Sequence, residues 1–167
     1  ATAILAKIGY RVTAVTGKIE ESDLLRELGA AAVIVRDDFI DTSGRALLHA
    51  RWAGVVDSVG GGYLSTAIRG TQPGGVITAC GNAASPELAL TVFPFILRGV
   101  TLAGIDATRP TRAERARLWA LLAGAWKPAL LDRLAREVGL EELDGEIEAT
   151  LRGTRKGRVV VQVRNAG

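Results

Sequence analysis

The chain has 167 residues, of which 48% are hydrophobic and 23% charged, so the composition predicts a globular protein and excludes a disordered one. Its net charge of +3 is spread along the sequence, and its tight basic cluster at 155–158 is too short for a nucleic-acid-binding tail. The single cysteine excludes an internal disulfide, one cysteine and one histidine are too few for an intrachain Cys/His zinc site, and no apolar run reaches the ~18 residues of a membrane span.

The first part of the chain alternates helix and strand signals. Ala1 to Ile8 is apolar and alanine-rich, which predicts the later turns of a helix whose start is absent, with Gly9 as its C-cap. The β-branched run from Val12 to Val15 predicts a short buried strand. Ile19 to Leu28 follows at helical spacing, with acidic residues in its first turn, and Ala32 to Val35 predicts the next strand.

The same alternation continues to residue 105. A short helix is expected at Ser43 to Ala50, a strand at Gly54 to Val59 and a helix at Tyr63 to Arg69. After a turn at 73–75, Val76 to Cys80 predicts a strand, and an extended apolar stretch at 88–95 leads into a final strand at Val100 to Ile105. Strands that alternate with helices at about twenty-residue spacing predict a parallel sheet covered on both faces.

The last third of the chain has a different pattern. Thr111 to Ala125 predicts an amphipathic helix capped by Thr111, with Leu118, Leu121 and Leu122 facing inward. A strand at 136–140, a helix at 141–151 and an edge-like strand at 157–163 follow, with no earlier strand to pair with them. We therefore predict a nucleotide-binding domain at 1–128 and, at 129–167, a segment that belongs to another domain.

The tip of the strand at Val12 to Val15 carries the first candidate binding residues, Thr16, Gly17 and Lys18. In a dinucleotide-binding α/β unit this tip meets the adenosine ribose, and an acid there selects NAD through the ribose 2′-OH. Here no acid occurs before Glu20. A hydroxyl, a glycine that allows close backbone approach and a cation suit a 2′-phosphate, which favours NADP. A surface turn with a solvated lysine is the alternative interpretation.

Three other residues were weighed as candidates for chemistry. Asp57 ends a predicted strand before three glycines, so it either contacts a ligand or caps the next helix through the glycine loop. His49 has no second histidine, cysteine or paired acid nearby, which predicts a packing or surface role. Cys80 has no adjacent histidine or lysine to favour a thiolate, so we interpret it as a small packed residue.

Six short segments together resemble the zinc-independent medium-chain dehydrogenase/reductases, in particular the branch of acrylyl-CoA reductases and quinone oxidoreductases. The resemblance covers essentially the whole chain. The segments are Thr-Gly-Lys at 16–18, Leu-Arg-Glu-Leu-Gly-Ala at 25–30, Arg-Trp-Ala-Gly-Val-Val-Asp at 51–57, Pro-Phe-Ile-Leu-Arg-Gly-Val at 94–100, Gly-Ile-Asp at 104–106 and Gly-Arg-Val-Val-Val at 157–161.

This resemblance implies a Rossmann-like, doubly wound parallel sheet that lacks its first strand and its glycine-rich phosphate loop, since no Gly-x-Gly-x-x-Gly occurs in the sequence. The missing strand would lie between the strands at 12–15 and 54–59. The strand–helix–strand at the end of the chain would belong to a GroES-like catalytic domain, which family members carry on their N-terminal side.

The resemblance also implies a set of cofactor contacts. Thr16, Gly17 and Lys18 would hold the 2′-phosphate of NADPH, and Arg36 would lie beside the adenine and this phosphate. The nicotinamide side would be lined by Asn82 and Ile96. Two further positions depart from the family, because they carry Ala107 and Gly153 where relatives often have Ser and Asn. No catalytic residue and no metal ligand is assigned to this chain.

The function implied is that of an NADPH-dependent reductase of a small-molecule substrate, either an activated enoyl thioester resembling acryloyl-CoA or a quinone. The family also implies a homodimer joined along the strand at Val100 to Ile105. No signal-peptide pattern, nucleic-acid tail or membrane span is predicted, so a cytoplasmic protein is expected. Two alternatives stay open: a non-catalytic nucleotide-binding or oligomerisation module, and a methyltransferase-like enzyme, which Lys18 disfavours.

Overall fold

The structure is a computed structural model, and it describes residues 1–163. The chain divides into two compact units, Ala1–Ala120 and Leu121–Gly167. Residues 164–167, the end of the second predicted domain segment, lie outside the described residues. The assignment of 129–167 to a separate catalytic domain stays a prediction.

Helices and strands alternate through the first unit, as the sequence predicts. Its strands are β1 (Val12–Thr16), β2 (Ala30–Val35), β3 (Trp52–Asp57), β4 (Thr71–Ala79) and β5 (Thr101–Gly104). Its helices are α1 (Thr2–Lys7), α2 (Ser22–Glu27), α3 (Arg36–Phe39), α4 (Gly61–Arg69) and α5 (Phe93–Arg98), and α6 (Arg112–Ala123) continues into the second unit along the chain. A 3₁₀ turn at Ile19–Glu21 precedes α2.

All strand pairing in the first unit is parallel, which confirms the predicted fold class. β1 pairs with β2, while β3, β4 and β5 form a separate sheet with β4 in the middle. Within residues 1–163, β1 and β3 each have one paired neighbour, and no described strand lies between them. The two sheets therefore present open edges where the family fold places its first strand.

The core of the first unit lies between α4, β4 and the segment that leads into β5. Leu64, Ile68, Ile77 and Val100 form one buried cluster, in which Ile68 and Ile77 are fully buried. Burying an aliphatic side chain of this size stabilises a fold by about 1.5–3 kcal/mol. This cluster fixes α4 against the sheet and so holds the loops at the carboxyl ends of β3 and β4.

The prediction of a helix at Ser43 to Ala50 is wrong, because this segment is an irregular loop. Two of its carbonyl groups accept hydrogen bonds from arginine side chains outside the loop. The Nη1 of Arg69 donates to the carbonyl of Arg45 at 2.9 Å, and the Nη2 of Arg98 donates to that of Leu48 at 2.6 Å. Because these long side chains satisfy the loop's acceptors, the segment needs no helical hydrogen bonds of its own.

Three smaller predictions also differ from the structure. The extended stretch predicted at 88–95 ends earlier, because α5 begins at Phe93 with Pro94 in its first turn, where proline is favoured. The turn at 73–75 is an irregularity inside β4, at which the pairing with β3 shifts register. Leu118 is 37% exposed rather than inward, and α6 has no buried residue.

The second unit contains the predicted strand–helix–strand. β6 (Ala135–Gly139) pairs in parallel with β7 (Arg158–Gln162), and α7 (Leu143–Leu151) connects them. Inside this unit Glu146 bonds to Arg136 at 2.7 Å and to Arg155 at 2.8 Å. These ion pairs attach the helix to the first strand and to the loop that precedes the second.

Candidate cofactor-binding site

The carboxyl ends of β1 and β2 bring four predicted site residues together. Thr16, the last residue of β1, pairs with Val35, the last residue of β2. Gly17 and Arg36 therefore leave the sheet side by side, although nineteen positions separate them in the sequence. Lys18 follows directly, so the predicted 2′-phosphate contacts form one group at one edge of the sheet.

The turn after β1 is shaped by the hydroxyl group of Thr16. The backbone N–H of Lys18 donates to the Oγ1 of Thr16 at 3.0 Å. This is a local side-chain-to-backbone bond of the kind that stabilises turns. The bond holds Gly17 at the outer end of the turn and places Lys18 before the 3₁₀ turn that starts at Ile19.

Arg36 lies across the turn. A Cβ atom added at Gly17 would lie 3.1 Å from the Cζ, 3.2 Å from the Nε and 3.3 Å from the Nη1 of Arg36, so the guanidinium covers the glycine. The Nε of Arg36 also makes a loose ion pair at 3.9 Å with Asp37, whose side chain is 86% exposed. Sequence reasoning missed Asp37, although its position next to Arg36 was a signal that could have identified it.

A second group lies at the carboxyl ends of β3 and β4. Asp57 is buried, and its Oδ2 accepts the N–H of Gly60, the residue that precedes α4, at 3.0 Å. This bond stabilises the glycine loop before α4, but no side chain caps the first turn of the helix itself. Cys80 is exposed rather than packed, and its thiol donates to the carbonyl of Asp57 at 3.1 Å.

Asn82 lies in the segment that runs along the glycine loop. A Cβ added at Gly60 would lie 3.3 Å from the Cα of Asn82, and the N–H of Ala84 donates to the carbonyl of Val59 at 2.8 Å. Gly60 has a φ of +73°, a conformation that favours glycine. The close approach of the two loops fixes the backbone that carries Asn82 beside the start of α4.

The other predicted contacts are placed separately. Ile96 lies on α5 and is 67% exposed. Ala107 follows β5 in a loop where the Oδ1 of Asp106 accepts the hydroxyl of Thr108 at 2.6 Å, and this bond, together with the N–H of Thr108, lowers the pKa of Asp106. Gly153 belongs to the second unit, where it follows α7 with a φ of +69°.

The described residues form neither a cluster of metal ligands nor a membrane-spanning helix. Within residues 1–163 no three His, Cys, Asp or Glu side chains are grouped closely enough to hold a metal ion. His49 is exposed in the loop before β3. Across the same residues, no helix has both the length and the apolar character needed to cross a bilayer.

Comparisons with known proteins extend these observations. Residues 1–124 match the family model described as zinc-binding dehydrogenase. The chain is 42% identical over 163 residues to the acrylyl-CoA reductase AcuI of Ruegeria pomeroyi, covering 98% of this chain and 49% of that protein. It thus spans about half the length of the curated relatives it matches.

Two solved structures agree closely with its backbone. The YhfP protein of Bacillus subtilis with NAD bound matches at 40% identity and a TM-score of 0.91, covering 98% of this chain and 50% of that one. The YhdH protein of Escherichia coli K-12 with bound NADPH matches at 36% identity and a TM-score of 0.91, with the same coverage. The related chains thus include structures with either nicotinamide cofactor.

Proposed function

This chain belongs to the zinc-binding dehydrogenase family of the medium-chain dehydrogenase/reductases, and we propose that it is the nucleotide-binding part of an NADPH-dependent oxidoreductase. In the complete protein, the substrate would be an activated alkene on a thioester, resembling acryloyl-CoA, or a quinone. The names of the relatives support this substrate class.

The observation that carries the proposal is the guanidinium of Arg36 over Gly17 at the tip of β1, directly before Lys18 in the chain. A ribose 2′-phosphate carries negative charge that these cations can stabilise, whereas an NAD site would place an acid here. Each charge-assisted hydrogen bond to the phosphate is worth about 1.5–3 kcal/mol. The site therefore fits NADPH better than NADH.

We assign the remaining contacts by position. Asn82 and Ile96 would line the nicotinamide side, and Ala107 and Gly153 could contribute only backbone groups because neither has a hydrogen-bonding side chain. When bound, NADPH supplies the hydride that reduces the substrate. No catalytic residue is assigned to this chain. The described residues do not form a zinc site, so zinc has no role in the proposed reaction of this part of the protein.

We also propose a homodimer. Among the described strands, β5 has β4 on one side only, and Thr101–Gly104 has no charged residue that would protect its open edge from pairing. An isologous dimer with two β5 strands antiparallel would continue both sheets across the two-fold axis.

The test is a titration of the complete protein with NADPH and with NADH, followed by assays of NADPH oxidation with acryloyl-CoA and with a benzoquinone. We expect NADPH to bind at least about tenfold more tightly, as one charge-assisted contact requires, and one of the two substrates to be reduced. Equal dissociation constants would contradict the cofactor assignment. Tight NADPH binding without turnover of either substrate would favour a non-catalytic nucleotide-binding module.

A further inference from the structure

Gly17 has no conformational reason to be glycine. The glycines with positive φ in the described residues include Gly9 and Gly29 on either side of it, but Gly17 is not among them. Its backbone conformation is therefore accessible to any residue. What a side chain at this position would meet is instead decided by the space above the Cα of Gly17.

The three atoms nearest to that space all belong to the guanidinium of Arg36. The Cβ of any other residue would lie 3.1–3.3 Å from three atoms of the guanidinium group, all closer than the ~3.5–4.0 Å of an ordinary carbon contact. Because the three distances are nearly equal, the plane of the group lies flat on Gly17. A side chain at this position would push the guanidinium away from the turn.

Arg36 has few other restraints. Its side chain is 53% exposed, its ion pair with Asp37 is 3.9 Å long, and its guanidinium takes part in none of the side-chain hydrogen bonds described within residues 1–163. An exposed arginine held this loosely loses rotamer freedom when it binds a ligand, which weakens binding. Contact with Gly17 is thus the main restraint on the orientation of the guanidinium before a cofactor arrives.

We propose that Gly17 is a positioning residue that sets the preference for NADPH over NADH through Arg36, and not through its own contact with the phosphate. With the face of the guanidinium against Gly17, the N–H donors along its edge stay available, and two such parallel donors can bind one phosphate. The inference rests on the proposed NADPH function, since it concerns the same 2′-phosphate contacts.

The test is a double-mutant cycle in the complete protein with Gly17→Val, Arg36→Ala and the combined variant, in which the dissociation constants of NADPH and NADH are measured by fluorescence titration. We expect each single variant to weaken NADPH binding about tenfold or more and to weaken NADH binding much less, because NADH shares the adenine beside Arg36 but has no 2′-phosphate. The double variant should be no weaker than Arg36→Ala alone, because Gly17→Val then has nothing left to displace.

Two further variants keep the test interpretable. Gly17→Ala requires only a few tenths of an ångström of movement, so its loss of NADPH affinity should be smaller than that of Gly17→Val. Gly145→Val is the matched control, since a Cβ there meets nothing within 4 Å and no change in either affinity is expected.

Additive losses in the double variant would overturn the inference, because Gly17 would then act on the phosphate by itself. Equal losses for NADPH and NADH in Gly17→Val would also overturn it. If the unaltered protein binds the two cofactors equally, the proposed function fails instead, so the two failures are distinguishable.

Discussion

At the residue scale, Lys18 gives the simplest test of cofactor choice. We expect Lys18→Ala to weaken NADPH binding about tenfold or more while NADH binding stays the same, because one charge-assisted phosphate contact is lost. Isothermal titration of both cofactors measures the difference. Lys7→Ala removes an exposed lysine of α1 and serves as the control. Parallel losses for both cofactors in Lys18→Ala would show that the lysine supports the fold or the shared part of the cofactor instead.

A second residue-scale prediction concerns Asp41, which pairs with Arg69 at 3.0 Å. Hydrogen bonds from Ser43 first, and the charge of Arg69 after them, lower the pKa of Asp41 below its ordinary value of 3.8. A carboxyl with a lowered pKa in the folded state stabilises the protein above its unfolded pKa, and this contribution is lost as pH falls through the folded value.

We therefore expect the melting temperature to fall as pH drops below about 4, and to fall less steeply in Asp41→Asn over the same range. Asp106 and Glu114 also have lowered pKa values, but they contribute equally in both proteins, so the comparison isolates Asp41. Parallel melting curves from pH 5 to pH 2.5 would show that the Asp41 carboxylate does not contribute to stability.

At the element scale, the loop at 43–50 depends on Arg98, whose guanidinium donates to the carbonyls of Leu48, Arg69 and Thr71 at 2.6–3.0 Å. Thr71 is fully buried. Arg98→Ala removes the guanidinium donor from the carbonyls of Leu48 and Thr71, while that of Arg69 still accepts the N–H of Leu48 at 2.9 Å. We therefore expect a loss of about 2–4 kcal/mol in the free energy of unfolding, measured by urea denaturation.

The control for Arg98→Ala is Arg112→Ala on the exposed face of α6, which should change the free energy of unfolding by no more than about 0.5 kcal/mol. Equal effects of the two substitutions would mean that the loop at 43–50 does not depend on the Arg98 bonds.

The edge of β5 gives the test of assembly. The N–H of Ile105, the residue after β5, donates to the carbonyl of Ala79, the last residue of β4. Because N–H groups alternate sides along a strand, that of Leu102 faces the open edge. Leu102→Pro therefore removes a donor from the edge without removing one from the β4 pairing. We expect monomers by light scattering, and an unchanged dimer mass would refute this edge as the interface.

The contrast between β1 and the loop at 43–50 shows which parts of the fold can be predicted from the sequence alone. The strand at 12–16 was predictable because its β-branched run and the following turn are local signals. The loop was not, because the donors that replace its helical bonds come from Arg69 and Arg98, far along the chain. At the site, the contact of Gly17 with Arg36 depends on strand register and was likewise invisible in the sequence alone.

At the scale of the whole molecule, the question is what these 167 residues can bind by themselves. A dinucleotide's pyrophosphate is normally held by the N–H groups of a glycine-rich loop at a helix N-terminus. No Gly-x-Gly-x-x-Gly occurs in the sequence, and no described strand lies between β1 and β3. The side chains of Val15 on β1 and Val56 on β3 are accordingly 41% and 52% exposed. In the proposed site Lys18 and Arg36 hold the adenosine end, but the pyrophosphate has no glycine-rich loop among the described residues.

We therefore predict that a protein consisting of these 167 residues alone binds NADPH poorly and reduces neither substrate. Losing several charge-assisted bonds of about 1.5–3 kcal/mol each would move a micromolar dissociation constant to millimolar or weaker. Adding the N-terminal half that the relatives possess, as a fusion or as a separate chain, should restore both binding and turnover, because it would supply the strand between β1 and β3 and the phosphate loop. Calorimetry that returned a micromolar NADPH dissociation constant for the 167 residues alone would show that the loop is dispensable.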